Sequence, residues 1–202
     1  MRFLGLLFIG LAGAVQAAPT ILVYGDSLSA AYGIPRESGW VALLAQRLHT
    51  SSPAYQIVNA SVSGETTAGG LTRLPVLLAA HRPKLAILAL GANDGLRGLP
   101  LTHTARNLEN MITLAEKQGS QVLLVGMQLP PNYGPAYTSK FQAMFSNVAR
   151  KKKVRLVPFL LAGIGAQAER FQADGLHPTA QAQPVLLDNV WRELGPMLRL
   201  PK

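Results

Sequence analysis

The stretch Thr20-Ile21-Leu22-Val23-Tyr24-Gly25-Asp26-Ser27-Leu28-Ser29 decides the fold. An apolar, β-branched run breaks off into a small, turn-prone segment that carries a serine. A short run of this kind, bounded by Gly and Asp, reads as a strand covered on both faces. A serine at the end of such a strand is where an α/β enzyme can hold a nucleophile.

Working outward, strand and helix patterns alternate. Trp40, Leu43, Leu44 and Leu48 recur at helical spacing, and residues 55–58 read as a second strand. Residues 71–80 read as a helix ending near His81, with Pro83 blocking its continuation. Residues 85–90 are apolar throughout and form a third strand. Leu108, Met111, Ile112 and Ala115 mark the next helix, closed by Gly119. Residues 122–125 and 154–157 read as strands on either side of a helix marked by Phe141, Met144, Phe145 and Val148. Residues 185–198 read as a closing helix.

This βαβα order predicts an α/β protein with a parallel sheet of about five strands and helices on both faces. Right-handed crossovers leave few topologies. Sites in open α/β sheets form beyond the carboxyl ends of the strands. Ser27, residues 61–66 and Asn93 each follow one of the first three strands, so their loops should open on one edge.

A serine needs a base to become a nucleophile at neutral pH. Of four histidines, His49 and His81 fall near helix ends, where a cation suits the dipole. His103 lies in a polar segment before a helix with no acid beside it. His177 differs: it follows Asp174 by three residues in a loop punctuated by Gly175 and Pro178. That spacing lets a carboxylate fix one ring nitrogen while the other faces the nucleophile. The plainer alternative is that Asp174 caps a turn and His177 is a surface residue. An oxyanion also needs preorganised donors. A loop serine at a helix start offers its own N–H, Ser63-Gly64-Glu65 offers another, and Asn93 offers an uncharged amide. Residues 91–95 are also composed as a turn. Asp26 and Asp94 compete with Asp174 for the acid's role; Asp26 reads as a structural cap and Asp94 as turn chemistry. Leu96, Leu99 and Leu101, directly after Asn93, are expected to border an apolar substrate site.

Four blocks taken together resemble one family. Gly25-Asp26-Ser27-Leu28-Ser29, Gly64, Gly91-Ala92-Asn93-Asp94 and Asp174-Gly175-Leu176-His177-Pro178 are similar, in that order, to the blocks of SGNH (GDSL) hydrolases. Asn59-Ala60-Ser61-Val62-Ser63-Gly64-Glu65-Thr66, Leu96-Arg97 and Leu129-Pro130-Pro131-Asn132-Tyr133-Gly134 resemble the bacterial thioesterase I / lysophospholipase L1 / arylesterase branch. The resemblance implies a flavodoxin-like, three-layer α/β/α sandwich. It implies Ser27 as nucleophile, His177 as base and Asp174 as its partner, with Ser27 N–H, Gly64 N–H and Asn93 in the oxyanion hole. It further implies hydrolysis of acyl esters and thioesters, including lysophospholipids, with no metal and no cofactor. Ala92 stands where some relatives carry glycine.

Residues 1–17 read as a secretory signal peptide. Arg2 precedes an almost wholly apolar run over residues 3–15, and cleavage is expected after Ala17 or Ala18. The run is short for a membrane span, which needs roughly 20 residues; a retained anchor is the rival reading. A periplasmic or secreted location follows, with residues 18–202 as one domain. The absence of cysteine excludes disulfides, thiol nucleophiles, thiolate metal sites and a lipoprotein anchor. A net charge of +9 would favour anionic partners, a membrane surface included. The densest run, Arg150-Lys151-Lys152-Lys153, reads first as a solvated helix C-terminus. It lacks the aromatic stripe that single-stranded nucleic acid requires, so no nucleic-acid partner is expected. The expected partners are small-molecule or lipid acyl substrates, and the expected state is a monomer. Two alternatives are a carbohydrate O-deacetylase with the same site and a non-catalytic flavodoxin-like binding protein. In the latter, Asp26 would repel a flavin phosphate.

Overall fold

The computed structural model describes residues 18–51 and 55–198; the expected signal peptide lies outside the described residues. Five strands form one parallel sheet: β1 (Thr20–Gly25), β2 (Gln56–Asn59), β3 (Leu85–Ala89), β4 (Gln121–Val125) and β5 (Arg155–Val157), in the order β2-β1-β3-β4-β5. Chain order is thus reversed between β1 and β3. Because parallel crossovers keep one hand, that reversal sends the following helices to the opposite face. Accordingly α1 (Trp40–Ser51) packs with α6 (Gln183–Leu194) on one side. On the other, α4 (Leu101–Lys117) packs between α2 (Thr67–His81) and α5 (Pro135–Lys152). The result is a three-layer α/β/α sandwich.

Burial follows position in the sheet. β3 is buried at every residue, whereas the edge strands β2 and β5 are only partly covered. The apolar runs at residues 21–24, 85–89 and 122–125 are therefore core strands with helices on both faces. Among the described residues no helix is long and apolar enough to cross a membrane.

Several elements depart from their sequence signatures. α2 begins at Thr67, four residues before the expected start, because Thr66 caps it through a bond from Gly69 N–H to Thr66 Oγ1. It also continues through Pro75. The closing helix stops at Leu194 and tightens into a 3-10 turn at Gly195–Met197, where Pro196 cannot supply the next helical N–H. His103 lies inside the first turn of α4 rather than before it. Residues 27–33 are a succession of turns, not a helix start. The expected turn after β3 is a short helix, α3 (Ala92–Leu96), entered through Gly91 at φ +114°. The basic run does end α5, and two of its members pair with α4: Lys151 with Glu109 at 2.7 Å and Lys152 with Glu116 at 3.4 Å.

Candidate active site

The reversal of strand order leaves a crevice at the carboxyl ends of β1 and β3, the place where open α/β sheets bind ligands. Ser27 stands two residues beyond β1, and Asn93 is the second residue of α3. The register pairs Gly25 with Ala89, so both segments leave the sheet at the same level.

The loop bearing Asp174 and His177 reaches this edge from far along the chain. It is bracketed by an antiparallel bridge between Phe171 and Pro178 and by a bond from Gln172 N–H to the His177 carbonyl at 2.8 Å. Asp174 Oδ1 accepts the N–H groups of Leu176 (2.9 Å) and His177 (3.0 Å), and Gly175 takes the positive φ of +68° that the turn demands. Oδ2 of the same carboxylate meets His177 Nδ1 at 2.6 Å, and His177 Nε2 lies 2.9 Å from Ser27 Oγ. Turn capping and side-chain pairing are therefore performed by one residue.

The protonation pattern follows. Backbone N–H bonds from His177 and Leu176, then the bond to the ring, hold the Asp174 carboxyl down to about 2. Ionised, it only accepts, so Nδ1 carries the imidazole proton. In the neutral ring Nε2 then offers its lone pair to the Ser27 hydroxyl. The Tyr32 ring packs on the imidazole, with centroids 4.5 Å apart, and Gln172 Nε2 ties the Tyr32 carbonyl (2.8 Å) to that of Pro178 (3.2 Å).

Gly64 has φ +76°, a conformation that a side chain would strain. Arg97 holds its carbonyl at 3.0 Å. Neither the Ser27 N–H nor the Gly64 N–H has an acceptor among the described residues. Asn93 Nδ2 donates to Asp26 Oδ2 at 3.3 Å. Ser27, Gly64, Asn93 and His177 all line one cleft of about 700 Å³, a volume usual for small-molecule sites.

The apolar wall of that cleft is only partly the expected one. Leu96 lines it, but Leu99 is 37% exposed outside it and Leu101 packs against the core at the start of α4. α3 turns the chain away from the cleft before residue 99. The rest of the wall comes from Met127 and Leu129 after β4, from Phe159 and Leu161 after β5, and from Phe171. Apart from Leu129, which opens the block at residues 129–134 that carries the family resemblance, the sequence does not single these residues out; all but Phe171 directly follow strand ends, where the carboxyl-edge rule locates a site.

Asp94 is more than turn chemistry. It is buried, and its oxygens accept the N–H (2.9 Å) and hydroxyl (2.5 Å) of Thr67, locking α3 to the N-terminus of α2. Asp26 caps its turn through Leu28 N–H at 3.1 Å and in addition contacts Asn93. His49 and His81 lie in the last turns of α1 and α2, and with His103 on α4 they are solvent-exposed. Among the described residues no cluster of acids and histidines could hold a metal ion.

A serine hydroxyl on an imidazole that is held by a carboxylate, at the carboxyl edge of a parallel sheet, defines a serine hydrolase. The chain belongs to the GDSL-like Lipase/Acylhydrolase family, which it matches over residues 23–183. It is 52% identical to Esterase TesA of Pseudomonas aeruginosa over 182 residues, 90% of each chain. It is 37% identical to Thioesterase 1/protease 1/lysophospholipase L1 of Escherichia coli K12, over 90% of this chain and 86% of that relative. A crystal structure of TesA superposes with a TM-score of 0.87 at 51% identity, covering 89% of this chain and 99% of the other.

Proposed function

We propose that the protein cleaves acyl esters and acyl thioesters through an acyl-enzyme on Ser27. The substrates envisaged are fatty acyl thioesters of the coenzyme A type, lysophospholipids and aryl esters. The observation that carries the reading is the unbroken line from Asp174 through His177 to Ser27 Oγ at the mouth of an apolar cleft. Ser27 Oγ attacks the acyl carbonyl carbon while His177 Nε2 takes the hydroxyl proton. The carbonyl electron pair moves onto oxygen, which Ser27 N–H, Gly64 N–H and Asn93 Nδ2 receive. Asp174 stabilises the imidazolium. As the tetrahedral adduct collapses, His177 returns the proton to the departing alkoxide or thiolate. Water then enters and its oxygen attacks the acyl carbon while His177 takes one of its protons; the bond to Ser27 Oγ breaks, His177 returns the proton to Oγ, and the acid is released. None of these steps calls on a metal or cofactor.

Leu96, Met127, Phe159 and Leu161 offer an acyl chain apolar surface, worth about 0.8 kcal/mol for each methylene taken from water. This favours fatty acyl groups over acetylated sugars. The name of the Escherichia coli relative, which joins thioesterase and lysophospholipase, supports the same range. The apolar run after Arg2 and the small residues at 17 and 18 support export to the periplasm or beyond, with residues 18–202 acting as a single monomeric domain. The net charge of +9 supports a weak, salt-sensitive attraction to anionic membrane surfaces.

The test is a panel of acyl chain lengths on oxygen and sulfur leaving groups, run beside Ser27→Ala. The variant should fold normally and lose ester and thioester turnover together. Undiminished turnover in Ser27→Ala would refute the assignment.

A further inference from the structure

Asp26 carries a charge that its turn does not need. The side chain is 2% exposed, and removing a carboxylate from water is expensive unless its oxygens are well paired. Leu28 N–H on Oδ1 is the bond of an ordinary Asx turn, which asparagine makes equally well. Besides backbone N–H groups, the carboxylate's side-chain hydrogen-bond partner among the described residues is Asn93 Nδ2, on Oδ2. A negative charge beside a developing oxyanion also opposes the reaction electrostatically, so retaining it calls for a compensating role.

An ionised carboxylate accepts and cannot donate. Facing Asp26, the Asn93 amide is therefore restricted to one of its two flip states, with NH2 towards Asp26. One N–H is engaged there and the second is left for the cleft. In the flipped state the amide oxygen would occupy that place and repel the substrate oxygen. A neutral amide at position 26 would hold Leu28 N–H through its oxygen and turn its own NH2 towards Asn93, selecting the flipped state.

We infer that Asp26 is a positioning residue, whose carboxylate fixes the Asn93 side-chain amide so that N–H rather than C=O faces the acyl oxygen. The inference rests on Asn93 acting as an oxyanion donor, and the experiment separates the two. Steady-state kinetics on a short acyl ester are measured for the wild type, Asp26→Asn, Asn93→Ala and the double variant, with thermal unfolding as a check on folding. Asn93→Ala should lower kcat by ~10²–10³, as removal of one oxyanion donor does. Asp26→Asn should lower kcat about tenfold or more with KM changed less than about twofold, the signature of an interaction made in the transition state. In the Asn93→Ala background the same change should have almost no further effect on kcat.

Wild-type kcat in Asn93→Ala overturns the oxyanion reading and the inference with it. Loss in Asn93→Ala combined with an Asp26→Asn variant that is as fast as the wild type or faster overturns the inference alone. So does an Asp26→Asn loss that recurs in full without Asn93. If Asp26→Asn does not fold, the wild type still decides. The Asn93 side-chain amide signal, identified by its disappearance in Asn93→Ala, should exchange with water more slowly than that of exposed Asn132; equal exchange refutes the bond.

Discussion

Gly95→Ala is the most informative single substitution, because it moves Asn93, the proposed oxyanion donor, without touching it. A Cβ at Gly95 would sit 2.4 Å from Phe141 Cε2 and 2.9 Å from Cδ2 and Cζ. Ordinary contact begins near 3.4 Å, so ring and helix must part by about 1 Å. Phe141 has no solvent exposure and stands edge-on to Phe145, with centroids 5.3 Å apart. It cannot swing aside freely. α3 is held too: Tyr133 Oη donates to the Leu96 carbonyl at 3.0 Å, Tyr137 Oη donates to that of Gly95 at 3.3 Å, and Asp94 grips Thr67. Overpacking of this kind costs ~1–3 kcal/mol, offset by ~0.5–1 kcal/mol from replacing a helical glycine. The net loss, ~0.5–2 kcal/mol, should lower Tm by roughly 1–8 °C in a chain of this size. The larger effect is expected on rate. Displacing Asn93 by a fraction of that 1 Å should reduce kcat by ~10- to 100-fold while leaving KM nearly unchanged. Phe141→Leu, which removes the clashing ring atoms, should restore kcat when added to Gly95→Ala even though Tm stays low. A Gly95→Ala protein with wild-type Tm and kcat, or a double variant that recovers nothing, would refute the packing argument.

Three further outcomes are expected. Leu161→Ala deepens the apolar wall of the cleft and should shift the preferred acyl chain to greater length in the substrate panel; an unchanged preference removes Leu161 from the acyl path. Asp94→Ala strips the acceptor from Thr67 N–H and should destabilise the fold by ~1–3 kcal/mol in denaturant titration, and a loss below about 0.5 kcal/mol contradicts the capping role. Burial raises the Asp26 carboxyl to about 6 from an ordinary 3.8, so the folded state binds more protons than the unfolded between those values. Its contribution to stability is greatest below about 4 and is lost as pH rises through 6, whereas that of Asp174, held down to about 2, is lost only as pH falls from about 4 to 2. The Tm difference between wild type and Asp26→Asn should therefore change between pH 4 and 7; a constant difference contradicts the shift.

Much of the scaffold was legible because the core strands are covered on both faces. The runs at residues 21–24, 85–89 and 122–125 admit little but buried strands, and the intervening 3.6-residue periodicities mark helices that must lie over them. Boundaries were less legible where the deciding bond is tertiary or a cap. Thr66 starts α2 early, and α3 replaces an expected turn because Asp94 finds Thr67 across the fold. Leu99 and Leu101 lie off the cleft that Leu96 lines, because α3 turns the chain away and adjacency to Asn93 in sequence is not adjacency in space.

By itself, then, the sequence determined the sheet, its parallel sense and the residue types from which the site is built. These depend on local periodicity and on turn chemistry, which a chain carries wherever it folds. Only the tertiary structure decided which nitrogen of His177 faces Ser27, which residues floor the cleft, and that Asp26 touches Asn93 as well as its own turn. Those are distances between segments up to 150 positions apart. They are set by strand order, by the reversal between β1 and β3, and by the close packing of Phe141 and Phe145 beneath α3, none of which a linear spacing encodes.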